Sequence, residues 1–137
     1  MRRTEHRARA RALQAVYAWD VREGVALSLV AERVWDDLAV DAEVRKIAWP
    51  LIHALEAKQA ELDAMITAVT TNWRLERLGA IERCVLRLAA AELHIGETPP
   101  KVVLQEATTF AERFGSPASA KFVNGVLDAL ARKLGRL

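Results

Sequence analysis

Apolar residues in this chain recur every three or four positions almost from end to end, and nowhere do they alternate with period two. That rhythm is the period of a helix face, and it leaves no segment suited to a half-buried strand. The clearest run passes through Val44, Ile47, Leu51, Leu55, Leu62, Met65, Ile66 and Val69. Pro50 lies inside it. A proline there removes a backbone hydrogen bond and crowds the preceding turn, which predicts a kink or a break into two helices near Trp49.

The other stripes are separated by capping residues. Leu13, Val16 and Tyr17 fall at helical spacing, with Gly24 as a stop, predicting a first helix over about residues 4 to 22. Ser28 is positioned to cap a short second helix carrying Val30, Val34 and Trp35, and Asp41 to cap the third. The stretch AIERCVLRLAAAELHI predicts a helix from Ala80 to Ile95, stopped by Gly96. Thr98 with Pro99 opens the next, Gly115 closes it, and Ser116 with Pro117 opens the last. The expected fold class is all-α, a compact bundle of six or seven helices joined by short turns.

With 137 residues the chain is the size of one domain, spanning residues 1–137. Its 52% apolar content, rich in Ala and Leu but only 6% aromatic, suits helices that approach closely through small side chains. No apolar run is long enough to cross a membrane and no signal peptide is evident, so the expected location is cytoplasmic. The lone Cys84 sits in a helical pattern and is read as a small core residue.

The formal net charge of +2 conceals an asymmetry: residues 1–11 sum to +4 and residues 12–137 to −2. Arg3, Arg7 and Arg11 share one helix face, away from Leu13, Val16 and Tyr17. Guanidinium groups fork onto phosphates, and a helix N-terminus adds its own attraction for anions. Taken alone, the arginines fit both a nucleic-acid surface and a solvated helix end. In KFVNGVLD, Lys121, Asn124 and Asp128 oppose the apolar face of Phe122, Val123 and Val126. Gly125 is costly in mid-helix, which asks for close packing by another helix or approach by a ligand. Glu92 projects into an apolar arc and is expected to be paired, whereas Glu82 suits a first turn. Trp19, Trp35, Trp49 and Trp73 are read as core or helix-edge residues.

Catalysis finds little support. His6, His53 and His94 are scattered, and no HExxH, CxxC, GxSxG or glycine-rich phosphate loop is present. No enzyme activity, metal or cofactor is expected.

The order of these pieces resembles the NusB family of bacterial transcription antitermination factors. The matching elements are the arginine-rich start leading into ALQAVYAWD, then WRLERL with AIERCVLRLAAAEL, PPKVVLQEAT with AERFGS, and KFVNGVLDAL. The resemblance implies two helical sub-bundles, N-terminal and C-terminal. It implies binding of the single-stranded boxA sequence of ribosomal RNA transcripts together with the ribosomal protein NusE, within the transcription elongation complex. Carried over residue by residue, it places Arg2, Arg3, Arg7, Arg9, Arg11, Lys121, Phe122 and Asn124 on RNA, and Tyr17 and Glu82 against NusE. Two departures stand out: Glu5 and His6 interrupt the basic run, and SPASA precedes Lys121 where relatives often carry acids. Competing readings are a helical adaptor that contacts only proteins, and a stand-alone relative of the RNA-binding domain that precedes ribosomal RNA cytosine methyltransferases; for the latter, no catalytic domain is expected after Leu137.

Overall fold

The computed structural model describes residues 2–70 and 73–137, apart from the side chain of Arg2. The helices are α1 (Arg2–Asp20), α2 (Leu27–Asp37), α3 (Ala42–Val69), α4 (Ala80–Ile95), α5 (Pro100–Phe114) and α6 (Pro117–Lys133), with a 3-10 turn at Leu75–Arg77. No strand occurs among the described residues. Helices α1 to α3 pack on one another, as do α4 to α6, and α4 joins the two groups by lying against α1 and α3.

The composition of α4 accounts for that central place. From Cys84 to Leu93 it buries every residue except Arg87, so it presents apolar surface on nearly all sides and has to be enclosed by other helices. Small residues make the enclosure tight: Ala8, Ala12 and Ala15 of α1 and Ala89, Ala90 and Ala91 of α4 are all buried in one core. Burial pushes the Cys84 thiol up to about 12, leaving it an inert packing group. Trp35 is fully buried and donates its indole N–H to the Arg11 carbonyl at 3.0 Å, tying α2 to α1.

Several helix ends differ from expectation. The second helix begins after Ala26, so Ser28 lies inside it, and the Ser28 N–H is taken by the Glu56 carboxylate at 2.8 Å. A carboxylate reaching from another helix has replaced the local cap. Asp41 occupies the cap position of α3 without a side-chain bond. Pro99, not Thr98, precedes α5, because the Thr98 hydroxyl is drawn to Glu92 at 2.8 Å. Ser116 does cap α6, accepting the Ser119 N–H at 3.0 Å. The helix α3 passes Pro50 without a break, and its non-helical residue is Lys58, at φ −119° and ψ 18°. Pro50 and Lys46, whose carbonyl loses its partner, are both exposed, so water can serve that carbonyl.

The far end of α1 is fastened by charge. Asp20 accepts from Arg83 Nε at 2.9 Å and from Arg87 at 3.1 Å, while Arg87 also donates to Asp63 of α3 at 2.9 Å. Arg87 lies 5.5 Å from the centre of the Trp19 ring as well. Hydrogen bonding from Arg83 holds the Asp20 carboxyl below its ordinary pKa. A depressed carboxylate adds stability above its unfolded pKa and loses it as pH falls through the folded value. Urea unfolding from pH 7 down to pH 2 is therefore expected to show a loss of stability beginning near pH 4. Asp20→Asn should start about 3 kcal/mol less stable at pH 7, with two arginines short of a partner, and show a shallower acid loss. An equally steep acid loss in the variant would exclude Asp20 as its source.

Candidate nucleic-acid interface

The basic face of α1 separates into two roles. Arg9 is buried, with a side chain only 9% exposed. Its Nε and Nη2 grip Glu92 at 2.9 and 2.8 Å, and its Nη1 donates to Glu106 at 2.9 Å. Burial opposes the charge, but the bonds and charges of Glu92 and then Glu106 outweigh it, so the pKa of Arg9 stays raised. Arg9 is thus withdrawn from the exposed arginine face on which the resemblance placed it. It joins α1 to α4 and α5, and it supplies the partner that the buried Glu92 required. His6 takes part in the same cluster, with Nδ1 2.8 Å from Glu106 and its ring stacked 5.1 Å from Phe110.

Two residues before and after Arg9 the helix turns by about 200°, so burying Arg9 sends Arg7 and Arg11 outward. Arg7 is exposed and reaches only a long 3.7 Å contact with the exposed Asp41. Arg11 bonds Gln14 one turn on, at 2.9 Å, and Arg3 is exposed. These weak, solvated contacts can be exchanged for phosphate at little cost. The side chain of Arg2 lies outside the described residues.

On α6, Lys121 and Asn124 are exposed and Phe122 is half-buried against the core. Asn124 Oδ1 stands 3.4 Å from the Thr108 hydroxyl, which is closer to the Leu104 carbonyl at 2.7 Å, so the amide is free to meet a ligand. A methyl group at Gly125 would meet nothing within 4 Å. Helix packing therefore does not explain this glycine. Helix α5 packs against α6 and reaches α1 through Glu106.

Tyr17 and Glu82 are brought to one end of the molecule by the Asp20–Arg83 pair, since Asp20 is one turn beyond Tyr17 and Arg83 follows Glu82. Tyr17 is exposed. Glu82 already has a partner, the Ser119 hydroxyl in the first turn of α6. That bond crosses between helices and gives the SPASA segment a structural role of its own, in which Ser116 caps α6 and Ser119 clasps α4. Trp73, read from sequence as a core or edge residue, is 56% exposed and stands edge-on to Phe122 with ring centres 6.4 Å apart. Its place in the loop before α4 gave no periodic signal.

Among the described residues no three potential metal ligands cluster, and no helix is long and apolar enough to cross a membrane. Fold and site define an all-α protein whose chemistry lies in charged surfaces. The NusB family pattern matches residues 6–132, so the chain belongs to the NusB family. It is 44% identical over 130 residues to the transcription antitermination protein NusB of Anaeromyxobacter dehalogenans, covering 93% of this chain and 90% of the relative. Thermotoga maritima NusB superposes with a TM-score of 0.86 at 31% identity, covering 93% of this chain and 90% of that one. A structure of the antitermination factors NusB and NusE in complex with double-stranded RNA superposes with a TM-score of 0.88 at 27% identity, covering 97% and 99%.

The two kinds of arginine are separable by experiment. Arg9→Ala strands Glu92 in the core and should cost about 3 to 5 kcal/mol in urea unfolding, as removal of one partner of a buried pair does. Arg7→Ala should change stability by less than about 0.5 kcal/mol. Similar losses for the two variants would contradict the division of roles.

Proposed function

We propose that this chain is a non-catalytic RNA-binding antitermination factor that engages boxA-type RNA of ribosomal RNA transcripts jointly with the ribosomal protein NusE. It acts as one helical domain over residues 1–137, in the elongation complex of the cytoplasm. The observation that carries the reading is the arginine face of α1, where Arg3 and Arg7 are exposed and the half-buried Arg11 meets Gln14 in an exposed contact, while Arg9 is consumed by the fold. A protein-only adaptor is disfavoured, because a relative of the same fold is known in complex with both NusE and RNA. Lys121, Phe122 and Asn124 extend the surface on the far side of α5, and Tyr17 with Glu82 forms the side turned to NusE.

Arg3, Arg7, Arg11 and Lys121 neutralise about four phosphates in this arrangement. Log affinity for single-stranded RNA should then fall against log salt with a slope of about −3, from roughly −0.7 per contact. Replacing Arg7 and Arg11 by Ala should bring the slope to about −1.4 with little change in melting temperature, whereas an unaltered slope would remove α1 from the interface.

Glu82→Lys should weaken NusE binding by reversing a charge at the protein-facing end, and should change RNA binding by the isolated chain no more than loss of the Ser119 clasp does. Because Glu82 also clasps Ser119, Ser119→Ala is the necessary control. It removes the clasp and keeps the charge, so NusE affinity should hold. Calorimetric titration of NusE into both variants distinguishes them, and equal losses would assign Glu82 to positioning α6.

A further inference from the structure

Among the large apolar side chains left exposed, Trp73 stands out by its surroundings. Exposing a tryptophan to this degree forgoes a large burial, which calls for a partner. Its ring meets Phe122 at 76° in an edge-to-face pair, and Trp73, 56% exposed, is the member of the pair that solvent reaches. Its carbonyl stands 3.2 Å from the buried Thr70 hydroxyl, which also reaches the Ile66 carbonyl at 3.1 Å at the end of α3. An aromatic side chain has only two torsions to order, so a ligand that covers it meets a small entropic cost.

The neighbouring charges favour a nucleic acid over a protein as that ligand. Arg74 and Arg77 are exposed beside Trp73, against the acid Glu76, and Lys121 adjoins Phe122. Asn124 and the open flank of Gly125 follow on the same helix, so a chain with a charged backbone and flat bases finds cations, a π face and room in succession. We propose that Trp73 stacks an unpaired RNA base beside Phe122, adding a base-stacking position to the surface that α1 and α6 present to RNA. The proposal rests on the RNA-binding reading above. It differs from the arginine contacts in kind, since stacking needs an unpaired base and is tolerant of sequence.

The test compares the full chain and its Trp73 variants on a single-stranded boxA-like oligonucleotide, on a fully paired duplex of the same length, and on NusE. Trp73→Ala should weaken the single strand by roughly 5- to 100-fold, the range of base–aromatic stacking, while duplex and NusE affinities stay within about twofold. Trp73→Phe should restore most of the lost binding and Trp73→Leu should not, because Leu fills space without a π face; this pair carries the test if the Ala variant fails to fold. Unchanged single-strand binding by Trp73→Ala, rescue by Leu as good as by Phe, or a loss confined to NusE would each overturn the proposal. Failure of the unsubstituted chain to bind either RNA would instead overturn the RNA-binding reading on which it rests.

Discussion

The Arg9 guanidinium, closed in between Glu92 and Glu106, sets how the helices of this protein meet. Three of them join there, α1 through Arg9, α4 through Glu92 and α5 through Glu106. A carboxylate buried in an apolar helix would be untenable alone, and so would a buried guanidinium; together, with the Thr98 hydroxyl on Glu92, each satisfies the other. The contact also fixes rotation. Once Arg9 points inward, helix geometry turns Arg7 and Arg11 to the opposite side of α1, where Arg7 is exposed and Arg11 half-buried.

The opposite end of α1 is held by a second polar cluster, in which Asp20 joins Arg83 and Arg87 and so reaches α3 through Asp63. Between the two clamps α1 buries Ala12, Leu13, Ala15 and Val16 in the core it shares with α4. A surface carried on such a helix is preorganised, and its arginines lose only side-chain freedom on meeting phosphate.

Helix α6 plays a comparable part on the other side of α5. Its first turn is capped by Ser116 and clasped to α4 through Ser119 and Glu82, which fixes the direction in which Lys121, Phe122 and Asn124 emerge. Glu82 consequently touches the helix that carries Lys121, Phe122 and Asn124 while lying at the end proposed to meet NusE. A cation arriving at Glu82 would compete with the Ser119 hydroxyl, and a charge-assisted bond outcompetes a neutral donor.

The helices and the basic pole are legible in the amino-acid order alone. Period-four apolar stripes, the stop at Gly96, the Ser116–Pro117 start and the absence of alternation suffice for the all-α class, because those signals act within one or two turns of backbone. The requirement that Glu92 be paired is legible too, since an acid in an apolar stripe has few alternatives. Which partner each polar group takes is not written there. Helix spacing sets Arg9 on the side of Leu13 and Val16, apart from Arg7 and Arg11, but only the approach of α4 and α5, more than eighty residues away, supplies the carboxylates that make Arg9 structural. Distance along the chain likewise hides the draw of Thr98 toward Glu92, the claim of Glu56 on the Ser28 N–H, the open space at Gly125 and the meeting of Trp73 with Phe122. Helix formation is decided by neighbours along the chain, whereas the fate of a charge or an exposed ring is decided by what the packed helices bring beside it.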